Sequence, residues 1–128
     1  RGIHRPQGII EGRTGRLLPT GVIRGEKVCA FAGIGRPEIF RRSLIALGAQ
    51  VVSFRVFPDH YPYIHSDLDA LRRLAAETGA NRIITTEKDG IRLTDFPEFQ
   101  AEISLLRVEM EVTPPGLFAE LIFSRLAY

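Results

Sequence analysis

Val28-Cys29-Ala30-Phe31-Ala32-Gly33-Ile34-Gly35-Arg36-Pro37-Glu38-Ile39-Phe40 runs from a short apolar stretch through a glycine turn into a proline-led helix start. The order reads as strand, tight turn and helix. Residues 28–33 form the strand, and the two glycines turn the chain. Pro37 suits a first helical turn, where no backbone N–H is required. Phe40, Leu44 and Leu47 then recur at i, i+4 and i+7, and Gly48 stops the helix. Residues 50–57 supply the next strand, so the stretch opens a βαβ unit and, with it, a parallel sheet.

The alternation continues outward. Ser66 is expected to cap a second helix, with Asp67 and Asp69 in its first turn and Leu68, Leu71, Leu74 and Ala75 as its buried stripe, ending before Gly79. Residues 82–86 read as a third strand, 90–93 as a short turn or helix, and 103–112 as a fourth strand. A last helix opens at Thr113-Pro114-Pro115 and carries Leu117, Phe118, Leu121 and Ile122. The expected fold is α/β, a three-layer αβα sandwich around a Rossmann-like, mostly parallel sheet of about four to five strands. Residues 27–128 make one αβ lobe. Residues 1–26, with Gly2, Gly8, Gly12, Gly15, Gly21, Gly25, Pro6 and Pro19, are dense in breakers and read as loop, extended or hairpin structure serving as a linker or crossover.

Three polar motifs fall where the strands end: Gly33-Ile34-Gly35-Arg36-Pro37, Phe57-Pro58-Asp59-His60-Tyr61 and Thr85-Thr86-Glu87-Lys88-Asp89. Ligands of open parallel sheets bind outside the carboxyl ends of the strands, so the three motifs are expected to face one crevice. Gly33 and Gly35 let the backbone approach a ligand closely, beside a helix N-terminus suited to a phosphate or carboxylate. The third glycine of a dinucleotide fingerprint is replaced by Glu38, so tight-turn geometry alone is the competing explanation. His60, between Pro58 and Pro62, is a candidate to move a proton or to orient a carboxylate that does, with Asp59 beside it. A backbone-bonded loop histidine is the alternative. Thr85 and Thr86 offer hydroxyls and Lys88 a point charge to a phosphate. Alternatively, Glu87, Lys88 and Asp89 pair among themselves and cap the following turn. His65 lies near His60, but two histidines without a third ligand do not make a zinc site.

Composition bounds the function. The 128 residues, 45% of them hydrophobic, suit one globular core. The chain begins with Arg1 and its one methionine is Met110, from which we expect a piece of a longer protein. Cys29, alone and within an apolar run, is expected to be a buried, inert thiol in a reducing compartment. No apolar run approaches the roughly 20 residues of a membrane span, and no signal-peptide pattern is present, so these residues are expected to be soluble by themselves. Net charge is +2, yet residues 1 to 42 hold nine Lys or Arg against Glu11, Glu26 and Glu38, a surplus of six. Such asymmetry fits an anionic partner or a solvated basic segment. No aromatic residues alternate with these arginines, which argues against nucleic acid bound by base stacking. No G-x-x-x-x-G-K-[ST] loop occurs.

The three motifs, in this order and spacing, resemble the tetraacyldisaccharide 4'-kinase family, over roughly residues 20 to 125 and within its C-terminal domain. The resemblance implies an enzyme that uses ATP and Mg2+ to phosphorylate the 4'-hydroxyl of a tetraacylated glucosamine disaccharide lipid in lipid A biosynthesis. It implies work at the cytoplasmic face of the bacterial inner membrane, against an anionic membrane surface. It also implies that an N-terminal P-loop domain holds ATP, Mg2+ and the catalytic base, so that these residues alone are inactive. His60 matches the family's Asp-His dipeptide and is implied to orient that base; Gly33, Gly35, Thr85, Thr86 and Lys88 are implied to line the shared crevice. The rival reading from another class is a non-catalytic Rossmann-like module that binds a nucleotide or a partner.

Overall fold

In chain order the elements are β1 (Gly2–Glu11), β2 (Leu17–Leu18), a 3-10 turn (Thr20–Ile23), β3 (Lys27–Ala32), α1 (Pro37–Ala46), β4 (Gln50–Val56), α2 (His65–Thr78), β5 (Arg82–Thr86), α3 (Glu87–Ile91), α4 (Pro97–Glu102) and β6 (Ser104–Val112). They come from a computed structural model that describes residues 2–112. The strands form one six-stranded sheet in the order β2-β1-β6-β5-β3-β4. β4, β3, β5 and β6 run parallel, and β1 joins β6 antiparallel. The sheet is therefore mixed and has one strand more than the upper expected count. The added strands come from the glycine-rich start.

That start is not a tether. β1 pairs with β6 from Gly2↔Val112 to Glu11↔Ser104, with a register shift between Pro6 and Gly8, and β2 turns back on β1 through Ile9↔Leu18 and Ile10↔Leu17. Proline donates no ladder bond, so Pro6 is placed beside the irregularity that tolerates it. Gly8 and Gly12 are close-packing positions: a Cβ at Gly8 would stand 2.6 Å from Leu17 Cδ1, and at Gly12 2.1 Å from the Gln100 carbonyl.

Alternation along the central strand builds two cores. Val28, Ala30 and Ala32 of β3 face Phe40 and Leu44 of α1 on one side of the sheet. Cys29 and Phe31 face Leu68 and Leu71 of α2, with Leu93, Phe99 and Ile103, on the other. A parallel strand covered on both faces is apolar throughout, which is why β3 reads as a continuous hydrophobic run. The expected three-layer αβα arrangement is what the chain adopts. Cys29 is fully buried, and burial pushes its thiol up, against smaller opposing effects of Ser53 and Arg55.

Local boundaries differ from expectation in three places. α2 starts at His65, ahead of Ser66; the Ile64 N–H donates to Asp67 Oδ2 at 3.1 Å, so Asp67 closes the helix start from within. Where a short turn or helix over 90–93 is expected, a helix forms but begins earlier, α3 starting directly off β5 at Glu87, and α4 follows with Pro97 in its first turn. The expected helix after Thr113 lies outside the described residues. Among those described, no helix is long and apolar enough to cross a membrane.

Candidate functional site

β3 connects through α1 to β4 on one side, whereas β4 returns through α2 to β5 on β3's other side. The carboxyl ends of β3 and β5 therefore flank the point where the winding reverses, the usual ligand crevice of such sheets. Gly33 follows β3 there, and Thr86 caps α3 at the end of β5.

The position is already taken by a carboxylate of the protein. Asp89 is fully buried, and the Gly33 N–H donates to its Oδ1 at 3.0 Å and Oδ2 at 3.2 Å. The Tyr63 hydroxyl donates to Oδ1 at 2.8 Å, the Thr86 hydroxyl to Oδ2 at 2.7 Å, and Arg92 Nη1 to Oδ1 at 3.1 Å. Thr86 Oγ1 in turn accepts the Asp89 N–H at 3.1 Å, an N-cap closed in both directions. A buried carboxylate persists only when paired and hydrogen-bonded, and Asp89 is both. A Cβ on Gly33 would stand 3.1 Å from the Pro58 carbonyl, 3.1 Å from the Tyr63 hydroxyl and 3.2 Å from Asp89 Oδ1, a tight fit that pushes these neighbours back and favours glycine.

His60 stands at the rim of this hub, on a loop anchored at both ends. Phe57 and Tyr63 pack edge-on against Phe31, with ring centroids 6.3 and 5.6 Å apart. Between them His60 takes a left-handed backbone, φ 61°, and donates its N–H to the Gly33 carbonyl at 3.2 Å. The same carbonyl accepts Arg92 Nη1 at 2.6 Å, and Arg92 Nη2 lies 3.3 Å from His60 Nδ1. Guanidinium groups only donate, so a hydrogen bond at this contact has Nδ1 as its acceptor and leaves Nε2 as the ring nitrogen that bears the proton. The side chain is 80% exposed, and Asp59 Oδ1 lies 3.8 Å from Nε2, beyond hydrogen-bond length. The ring edge away from Arg92 is thus open to solvent. His60, Tyr63, Ile91, Arg92 and Phe96 bound an open groove of about 440 Å³, within the volume range of small-molecule sites.

The remaining expected residues separate into two groups. Gly35 and Asp59 adjoin at the surface, a Cβ on Gly35 standing 3.6 Å from Asp59 Oδ2. Thr85 and Thr86, by contrast, are fully buried; the Thr85 hydroxyl donates to the Phe31 carbonyl at 2.6 Å and that of Thr86 is spent on Asp89. In this structure they lie beneath the crevice and do not line it, both side chains being fully buried and bonded inside the protein. Lys88 is exposed and has no polar partner among the described residues, while Glu87 pairs with Arg107 Nε at 3.1 Å. Mutual pairing of Glu87, Lys88 and Asp89 does not occur. Sequence reasoning missed Arg92 and Tyr63 as members of the site. Thr86-x-x-Asp89 carried the spacing of a capping box, the one local signal that pointed to Asp89.

Tyr63 gives the hub a measurable signature. Burial foremost, then the charge of Asp89 and the hydrogen bond to it, push its phenol far above the ordinary tyrosine range. The folded state keeps this proton while an unfolded tyrosine loses it near pH 10, so the associated stability is fully present below about pH 10 and is lost as pH rises beyond it. Thermal melts between pH 8 and 11.5 are expected to fall more steeply for the native chain than for Tyr63→Phe. Parallel slopes would place the phenol in solvent.

Comparison with known proteins gives a consistent picture. The family profile described as Tetraacyldisaccharide-1-P 4'-kinase matches residues 5–127. A tetraacyldisaccharide 4'-kinase of Syntrophus aciditrophicus (strain SB) is 42% identical over 126 residues, which is 98% of this chain and 34% of that protein. One from Anaeromyxobacter sp. (strain Fw109-5) is 38% identical over 109 residues, 85% of this chain and 29% of its own length. The chain thus spans about a third of the curated relatives it matches. Among solved structures, the "apo" form of LpxK from Aquifex aeolicus, in complex with ATP, superposes with a TM-score of 0.56 at 23% identity, over 99% of this chain and 36% of that one. That likeness establishes the fold.

Proposed function

Since the chain belongs to the tetraacyldisaccharide-1-P 4'-kinase family, we propose that it forms the C-terminal lobe of a longer ATP-dependent lipid kinase. The reaction is transfer of a phosphoryl group to the 4'-hydroxyl of tetraacyldisaccharide 1-phosphate, a step of lipid A biosynthesis. The observation that carries this reading is His60, pinned at the mouth of the sheet by its backbone and by Arg92 while its side chain stays exposed. A histidine so held suits a carboxylate base, brought by a second lobe, that takes the proton of the attacking hydroxyl. Phosphoryl transfer depends on positioning and charge stabilisation, so a site divided between closing lobes is physically sound.

The described residues do not form a triphosphate cradle of their own. The Gly33 N–H is committed to Asp89, and no cluster of His, Cys, Asp or Glu suited to a metal ion occurs among the described residues. In this reading ATP and Mg2+ are held mainly by an N-terminal P-loop lobe. Exposed arginines of the first 42 residues, among them Arg36, Arg41 and Arg42, face an anionic membrane surface in this reading, with the enzyme at the cytoplasmic face of the inner membrane.

The test is phosphotransfer by the full-length enzyme from labelled ATP to the disaccharide lipid, with label expected at the 4' position. Label on no lipid hydroxyl would leave the non-catalytic module as the better account. Within the same assay, Lys88→Ala is expected to raise the KM for ATP about two- to fivefold, the scale of one solvent-exposed ion pair. An unaltered KM removes Lys88 from nucleotide binding.

A further inference from the structure

We infer that Arg92 is the positioning residue of His60, holding the imidazole in the tautomer that bears its proton on Nε2. An exposed histidine on a loop ordinarily samples both tautomers and several rotamers. Here three contacts tie the His60 loop to Arg92, one of them to the ring itself. Arg92 Nη2 approaches Nδ1 at 3.3 Å, and the His60 backbone N–H and Arg92 Nη1 share the Gly33 carbonyl at 3.2 and 2.6 Å. The guanidinium is itself fixed from below by Asp89 Oδ1 at 3.1 Å, which is fully buried and held by Gly33, Tyr63 and Thr86. The planar fork of an arginine spans a carboxylate, a carbonyl and an imidazole at once; a lysine ammonium is a single point and does not. Asp89, Arg92 and His60 therefore form a relay of orientation running from the interior to the rim, in which only His60 meets the reacting groups.

The inference rests on the reading of His60 given above, and its test separates the two. In 15N-histidine-labelled full-length enzyme, long-range 1H–15N spectra are expected to give His60, assigned by its loss in His60→Gln, the Nε2–H pattern. In Arg92→Met the ring nitrogens are expected to move toward a tautomer mixture. The kcat is expected to fall at least about tenfold with the KM for ATP unchanged. Arg92→Met combined with His60→Ala should lose no more than His60→Ala alone. Because Arg92→Met leaves the buried Asp89 charge without its cation, the paired Asp89→Asn/Arg92→Met variant, checked for native circular dichroism, is measured alongside. An unchanged tautomer and unchanged kcat in a folded variant overturn the role of Arg92, while a kcat loss in His60→Ala keeps the reading of His60. Full kcat in His60→Ala removes that reading instead, and the tautomer shift then decides by itself whether Arg92 holds the ring.

Discussion

Asp89→Ala is expected to destabilise the fold by about 3–5 kcal/mol, the scale on which one partner is removed from a buried ion pair. Asp89 is fully buried and accepts from the Gly33 N–H, the Tyr63 and Thr86 hydroxyls and Arg92. Alanine leaves all four donors without that acceptor. Arg92 is 19% exposed and can turn to water, so its stranded charge is the lesser part of the loss. The Gly33 N–H and Tyr63 hydroxyl have no such escape, and each buried donor left unpaired costs about 1–3 kcal/mol. The cap of α3 weakens as well, since the Thr86 hydroxyl loses the group that orients it. In a domain of this size the melting temperature should fall by about 10–25 °C. Asp89→Asn, which keeps the volume but places an amide donor against the Gly33 N–H, is expected to lie between. Urea unfolding followed by circular dichroism measures both. A change below about 1 kcal/mol in Asp89→Ala would mean that water replaces the carboxylate without loss and that no hub exists.

The parts of the fold that were legible in the sequence are those written locally. β3, α1, β4, α2 and β5 follow from apolar runs and helical periodicity within single windows, and the structure places them within two residues of those readings. β1 was illegible because its partner is β6, about a hundred residues away, and no window contains both. Its glycines read as loop, extended or hairpin structure of a linker or crossover, yet at Gly8 and Gly12 other segments of the chain pass where a Cβ would be. Six residues of α4 are too few to establish a period, and Pro97 reads equally well as a turn.

The same division runs through the site. That three strand ends converge was legible, because strand order restricts where a doubly wound sheet can place its loops. Which atoms face the opening was not. Thr85, Thr86 and Asp89 sit in one polar motif, and a motif does not disclose that β5 is covered on both faces. The buried strand turns the threonines inward, and Asp89 fills the anion position that the Gly33 turn was expected to keep for a ligand. Arg92 lies outside every motif, and its importance arises from three contacts with residues 3, 32 and 59 positions away. Folding thus turns the Gly33 N–H and the Thr86 hydroxyl onto Asp89, while His60 and the groove beside it stay open to solvent.

From that face comes the prediction with the largest effect on activity. His60→Ala in the full-length enzyme is expected to lower kcat by about 100-fold or more, the range in which a positioned proton-transfer partner acts, with little change in KM for either substrate. The split follows from the proposed role: the His60 side chain is 80% exposed, and in that proposal it meets the base only when the lobes close, strengthening the transition state more than either ground-state complex. His60→Gln is the sharper variant, since its amide N–H reaches part of the way to the same point and should recover a fraction of the rate. His60→Gly relieves the left-handed backbone at φ 61° while removing the ring, so it should be at least as stable as the native chain and as slow as alanine. Steady-state kinetics with melting temperatures for the three variants separate chemistry from folding. A rate that tracked stability across the series, or a wild-type kcat in His60→Ala, would confine His60 to the architecture of the loop.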